Sequence, residues 1–184
     1  HSFEPTPWTF KILEKNTTDL KNVTLNNKAL SDTARTLSFA DYGPGYGAYN
    51  TAHKDGAQLA SHTATAVEVA SLPLDAYCTE NNLVPDFIKI DSEGFEFEVL
   101  SGASHLLDEV RPLISIEVAG GSAWAENSKQ SFLLLMKKDY QPYEISTDGL
   151  LSVHKFLDSY KYDNLIFVPK EKVQLLSGLF LNHG

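Results

Sequence analysis
The chain has 184 residues, the length of one domain at roughly 100 to 200 residues per domain, and 42% of them are hydrophobic, enough to build a core without stapling. Fifteen Lys and Arg against 24 Asp and Glu leave a net charge of −9, which argues against a nucleic-acid partner, because that affinity rests on neutralising phosphates. The single cysteine, Cys78, excludes an internal disulfide or a multi-cysteine metal site, and no apolar run approaches the roughly 20 residues of a membrane span. With no signal segment at the start, one soluble, cytoplasmic domain over 1–184 is expected, with no membrane partner.

In chain order, Ser2-Phe3-Glu4-Pro5 reads as the last turn of a strand with an acid at its carboxyl end. Helical periodicity follows in Trp8 to Leu13, and Val23 to Leu25 is a strand candidate. Between Asp41 and Thr65 both periodicities fade, in a stretch holding Gly43 to Gly47, Tyr49, His53, Gly56 and His62. A loop this long in a compact domain is usually functional or disordered. It is expected to lie over the carboxyl edge of the sheet and touch substrate. Tyr77 and Cys78 fall on a helix after Leu74-Asp75, with Cys78 read as a small buried hydrophobe.

Phe87 to Ile90 and Leu113 to Val118 are short apolar runs, expected as adjacent central parallel strands covered on both faces. Between them, Glu93 to Val99 alternates with period two. It is read as a helix because a parallel pair needs a crossover, and Gly102 suits the helix end. Gly120 to Trp124 follows the second strand and either floors a pocket or packs. Ser128 to Lys138 is helical, with Phe132, Leu135 and Met136 on one face. Leu165 to Val168 closes the sheet and Lys170 to Phe180 forms an amphipathic tail. Alternation of strand and helix predicts an α/β, doubly wound, mostly parallel sheet.

Four acids, Glu4, Asp32, Asp91 and Glu117, stand where predicted strands run out, beside the crevice where open α/β sheets bind ligands. Glu4, Asp91, Glu93 and Glu117 could form an all-oxygen Mg²⁺ site, but their spacing follows no fixed ligand pattern and no metal is assigned. His53, His62 and His105 are weaker candidate bases than Asp91.

Taken in order, Ser2-Phe3-Glu4-Pro5, Asn27 to Asp32, Leu74-Asp75, Ile88-Lys89-Ile90-Asp91-Ser92-Glu93-Gly94-Phe95-Glu96, Val99 to Ala103 and Ile114 to Glu117 resemble the FkbM family of S-adenosylmethionine-dependent methyltransferases. The resemblance begins after the family's first strand and Gly-rich loop. It implies an N-terminally incomplete Rossmann-like methyltransferase fold whose last strand is antiparallel. It further implies that Glu4 binds the cofactor ribose, that Lys28 and Ala29 flank the adenine, and that Asp91 faces both cofactor and substrate. Asp91 and Glu93 are the expected catalytic residues. The activity implied is methylation of a hydroxyl on a sugar or small natural product. Two other readings stay open: a non-catalytic Rossmann-like interaction module that has lost cofactor binding, and a metal-assisted hydrolase built on the acids.

Overall fold
The computed structural model describes residues 1–47, 50–52, 63–119, 125–157, 160 and 162–180. The longest ladder is a five-stranded sheet made of β6 (Phe87–Ile90), β7 (Leu113–Ala119), β8 (Tyr140–Ile145), β9 (Leu151–Val153) and β10 (Tyr162–Pro169), in the order β6-β7-β10-β8-β9. Phe87 to Ile90 forms a strand with the expected bounds and runs parallel to β7, Ile88 opposite Ile114. β10, the last strand, is antiparallel to both β7 and β8.

The remaining strands stand in smaller sheets. β1 (Ser2–Phe3) pairs parallel with β2 (Leu25–Asn26). β5 (Thr65–Leu72) lies between β3 (Ala29–Leu30), parallel to it, and β4 (Arg35–Asp41), antiparallel. The fold is thus α/β, but it corrects the expectation of one mostly parallel sheet. Among the described residues β6–β7 is the only parallel pair in the large sheet, and the strands divide among three sheets.

A second correction concerns β6. It was expected to be central, yet among the described residues it pairs only with β7, and Phe87 is 53% exposed. β7 does behave as a central strand: Ile114, Ile116 and Val118 are fully buried. They pack with Leu100, Leu107, Phe132, Leu135, Leu165 and Phe167 in the main core. A smaller core under β3–β5 gathers Ala29, Phe39 and Val69.

The helices follow the sequence pattern with one shift. α1 (Pro7–Thr17) opens with a proline at its first position, where the missing N–H costs nothing. α2 (Leu74–Glu80) buries Tyr77 and Cys78, and α4 (Ala125–Lys137) buries Phe132 and Leu135. α3 (Glu96–Ser101) starts three residues later than the expected Glu93, because the turn before it is held in a left-handed conformation. A π-helical turn, Leu106–Val110, completes the crossover to β7. The tail Lys170–Leu179 is a 3₁₀ helix whose Phe180 bridges to Leu151.

Gly102 ends α3 at a point where two backbones meet. A Cβ there would stand 2.1 Å from the Ser31 carbonyl oxygen, while the Gly102 carbonyl accepts the Asp75 N–H. Ser31 is itself tied to Leu72 by a backbone hydrogen bond. Neither side can yield by rotating a side chain. Gly102→Ala should therefore cost about 1–3 kcal/mol, the usual penalty of overpacking. Gly178, with open space around it, should tolerate Ala to within about 0.5 kcal/mol. Urea denaturation of the two variants checks this, and equal midpoints would contradict it.

Candidate active site
Asp91 follows directly on Ile90 at the carboxyl end of β6, and its carboxylate pairs with the Lys89 ammonium on the exposed side. The chain then turns sharply: Glu93 (φ +52°) and Gly94 (φ +90°) are both left-handed. Glycine adopts this freely, whereas a glutamate there is strained unless its surroundings hold it. The holding group is Glu96. Its buried carboxylate accepts hydrogen bonds from the Ser92 N–H (2.8 Å), the Ser92 hydroxyl (2.9 Å) and the Gly94 N–H (3.4 Å). From outside, the Thr51 hydroxyl donates to the Glu93 carbonyl at 2.8 Å.

Glu117 reaches the same point from β7, where it is only 8% exposed. Carboxylate oxygens of Asp91, Glu93 and Glu117 lie within 4.8 Å of one another. Three of the four acids weighed as a possible cation site therefore meet, despite their irregular spacing in sequence. They form a donor set that a hard divalent cation could bridge. The crowding has an electrostatic consequence. Burial first, then the charges of Glu117, Asp91 and Glu96, push the Glu93 carboxyl up to about 7. Burial also raises Glu96, against the opposing effect of its own hydrogen bonds. Glu93, Glu96, Glu117, Ala119 and Ser128 line a cleft of about 10 Å³, room for about one water.

Glu4 stands outside this trio, at the end of β1. One carboxylate oxygen accepts both the N–H and the hydroxyl of buried Thr6, each at 2.7 Å. Among the described residues, the second oxygen carries no hydrogen bond. Thr6 in turn accepts the Asn50 amide N–H at 3.1 Å, and Asn50 accepts the Tyr42 N–H. Residues 50 and 51 of the long loop thus reach from the Glu4–Thr6 corner to the Glu93 turn. Residues 53–62 of the stretch expected over the carboxyl edge lie outside the described residues.

The other candidates fall elsewhere. Lys28 is exposed, and Ala29 is buried within β3 against Phe39 and Val69. Asp32 accepts the Ser31 hydroxyl and pairs with Arg35. His105 is exposed, and its N–H and that of Leu106 are both capped by Asp75. Tyr49, His53, Gly56, His62 and the Gly120 to Trp124 segment lie outside the described residues. Of the organising parts, Glu96 stood in the family motif without a role, and Thr51 and Asn50 were not singled out in the sequence. The one local signal was a serine four residues ahead of a glutamate at a helix start, close to a capping box.

The model of the FkbM methyltransferase domain matches residues 1–159. A search of curated proteins finds no match. The crystal structure of methyltransferase FkbM from Methylobacillus flagellatus KT superposes with a TM-score of 0.51 at 19% identity, over 90% of this chain and 35% of that one. The likeness shows a shared fold, and this chain spans about a third of that protein. On the family match over most of its length, the chain belongs to the FkbM methyltransferase family.

Proposed function
We propose that the chain is a Rossmann-like methyltransferase domain that uses S-adenosylmethionine to methylate a hydroxyl of a sugar or small natural product. The observation that carries this reading is the hydrogen-bonded tie from Glu4 through Thr6, Asn50 and Thr51 to Glu93, which sets a ribose-type carboxylate and a proton-accepting cluster along one edge. The residues fit the cofactor. Glu4 is pre-oriented by Thr6 and keeps one oxygen open for ribose hydroxyls, and Lys28 can lay its exposed stem along an adenine ring. Ala29, with its methyl group buried, has only backbone to offer there.

Bound S-adenosylmethionine supplies a methyl group already activated on a sulfonium. The chain's own work is to align the acceptor, exclude water and take the acceptor proton. Glu93 suits the last task, since a base is most effective when its pKa lies near the working pH. Asp91, beside it, orients the acceptor.

Calorimetric titration of S-adenosylmethionine should show binding that Glu4→Gln weakens about ten- to a hundredfold, the effect of one charge-assisted hydrogen bond. Asp91→Asn should lower methyl transfer more than cofactor affinity. Unchanged affinity in Glu4→Gln refutes the ribose role. No binding by the wild type would favour the non-catalytic module.

Glu93 also makes a prediction that needs no substrate. Its carboxyl titrates at an ordinary 4.5 when unfolded and at about 7 when folded. Between those values the folded chain holds a proton that the unfolded chain has released. Stability should therefore fall as pH rises from about 4.5 and level off above about 7. Urea denaturation from pH 5 to 8 in EDTA should show this loss in the wild type and a flatter profile in Glu93→Gln. Parallel profiles would exclude the shifted titration.

A further inference from the structure
Ala119, two residues beyond Glu117 at the end of β7, borders a second pocket of about 220 Å³. Glu126 and Lys129 of α4 line one side, and Phe156, Leu157 and Tyr160, between β9 and β10, line the other. We propose that this pocket holds the methyl acceptor and that the acceptor is a single pyranose-sized ring, its C–H face on Phe156 and one hydroxyl on Tyr160. The inference rests on the methyltransferase reading, whose acceptor it names.

Size sets the first limit. An apolar cavity of about 150 Å³ takes benzene, and drug-sized ligands occupy about 300–1,000 Å³. The volume therefore suits one substituted six-membered ring. The aromatic wall is preformed. Phe156 meets Phe132 edge to face at 5.1 Å and Tyr160 at 6.3 Å, so ligand binding has little ring motion left to freeze.

The polar wall is also built. Buried His154 places Nδ1 2.5 Å from a Glu144 carboxylate oxygen and Nε2 2.8 Å from the Tyr160 hydroxyl. Only a proton on Nδ1 satisfies the carboxylate, which leaves Nε2 as the acceptor of the Tyr160 O–H in the neutral ring. The Tyr160 oxygen also accepts the Leu157 N–H at 3.1 Å. A phenol oxygen can accept twice. One site is therefore left, among the described residues, for a donor from the ligand. Burial raises the Tyr160 pKa, so the phenol keeps its proton.

At the rim, one carboxylate (Glu126) and one ammonium (Lys129) balance in charge, which favours a neutral ligand over an anion. A ligand with hydroxyls for Tyr160, Glu126 and Lys129 and one apolar face for Phe156 is a sugar ring. A simple phenol has a single hydroxyl to share among them.

The test is saturation-transfer NMR on the protein without S-adenosylmethionine, using a panel of methyl hexosides, 6-deoxyhexosides and pentosides, with catechol as the planar comparison. At least one glycoside should receive saturation, strongest on ring C–H protons. Its affinity should fall about two- to tenfold in Tyr160→Phe, which deletes one neutral hydrogen bond. It should fall further in Phe156→Ala. Ala125→Trp, which fills the pocket from the start of α4, should abolish it. Transfer to no glycoside, transfer to catechol alone, or equal affinity in wild type and Ala125→Trp would overturn the proposal. Because no cofactor is present, failure here is separate from failure of the methyltransferase reading, which appears as absent S-adenosylmethionine binding with glycoside binding intact.

Discussion

The carboxyl group of a glutamate only 2% exposed must find hydrogen-bond donors, and for Glu96 the donors are the backbone and hydroxyl of the turn just ahead of it. Leaving such a group unpaired costs about 1–3 kcal/mol or more. That penalty forces residues 92–94 to curl back over the start of α3. The curl puts Glu93 at φ +52°, a conformation no glutamate adopts without help. It also places the Glu93 carboxyl beside Asp91 and Glu117. The shift of α3 by three residues, the strained backbone and the raised pKa of Glu93 thus share one cause.

The end of β7 depends on a second clasp. Ser128 of α4 accepts the Ala119 N–H at 3.1 Å and lies 3.4 Å from the Ala119 carbonyl, so the strand's last residue is held by the helix that follows. Nearby, Asn127 accepts the Phe97 N–H and donates to Glu98, locking α4 to α3. Two clefts meet at this fixed point, the acid cleft before Ala119 and the aromatic pocket beyond it. One buried strand end therefore borders both the acidic cluster and the aromatic hollow.

How much of this was legible follows from how local each signal is. Phe87 to Ile90 and Leu113 to Val118 announced themselves as apolar runs, and the helices of Trp8 and Phe132 by period. β4 and β5 did alternate, with Leu37 and Phe39, then Val67 and Val69, on the inner face. The Thr, Ser and Glu between them kept the runs from reading as strands. β8 carries Pro142 opposite Phe167, a residue that argues against a strand inside a sheet. Asp91, Glu93 and Glu117 could be named because strand ends are visible in sequence. Their meeting could not, because it depends on Glu96 folding back and on Thr51, 42 residues from its partner. Lys28 and Ala29 came from order alone, and burial of Ala29 shows how little order says about which atoms face a cleft.

The Glu4 corner raises a different constraint. Among the described residues, β1–β2 and β6–β7 share no ladder hydrogen bonds, so their alignment rests on side chains. Phe3 packs edge to face on Tyr77 at 4.7 Å, and the His1 ring meets the Tyr77 hydroxyl at 2.7 Å. At the carboxyl edge the tie runs through Thr6, Asn50 and Thr51. Ladder hydrogen bonds fix a register in steps of a residue, because a one-residue slip turns every side chain over. Single hydroxyl and amide contacts instead allow shifts of a few tenths of an ångström. The distance between Glu4 and the acid trio is thus set by three small polar side chains, Thr6 just ahead of α1 and Asn50 and Thr51 of the long loop.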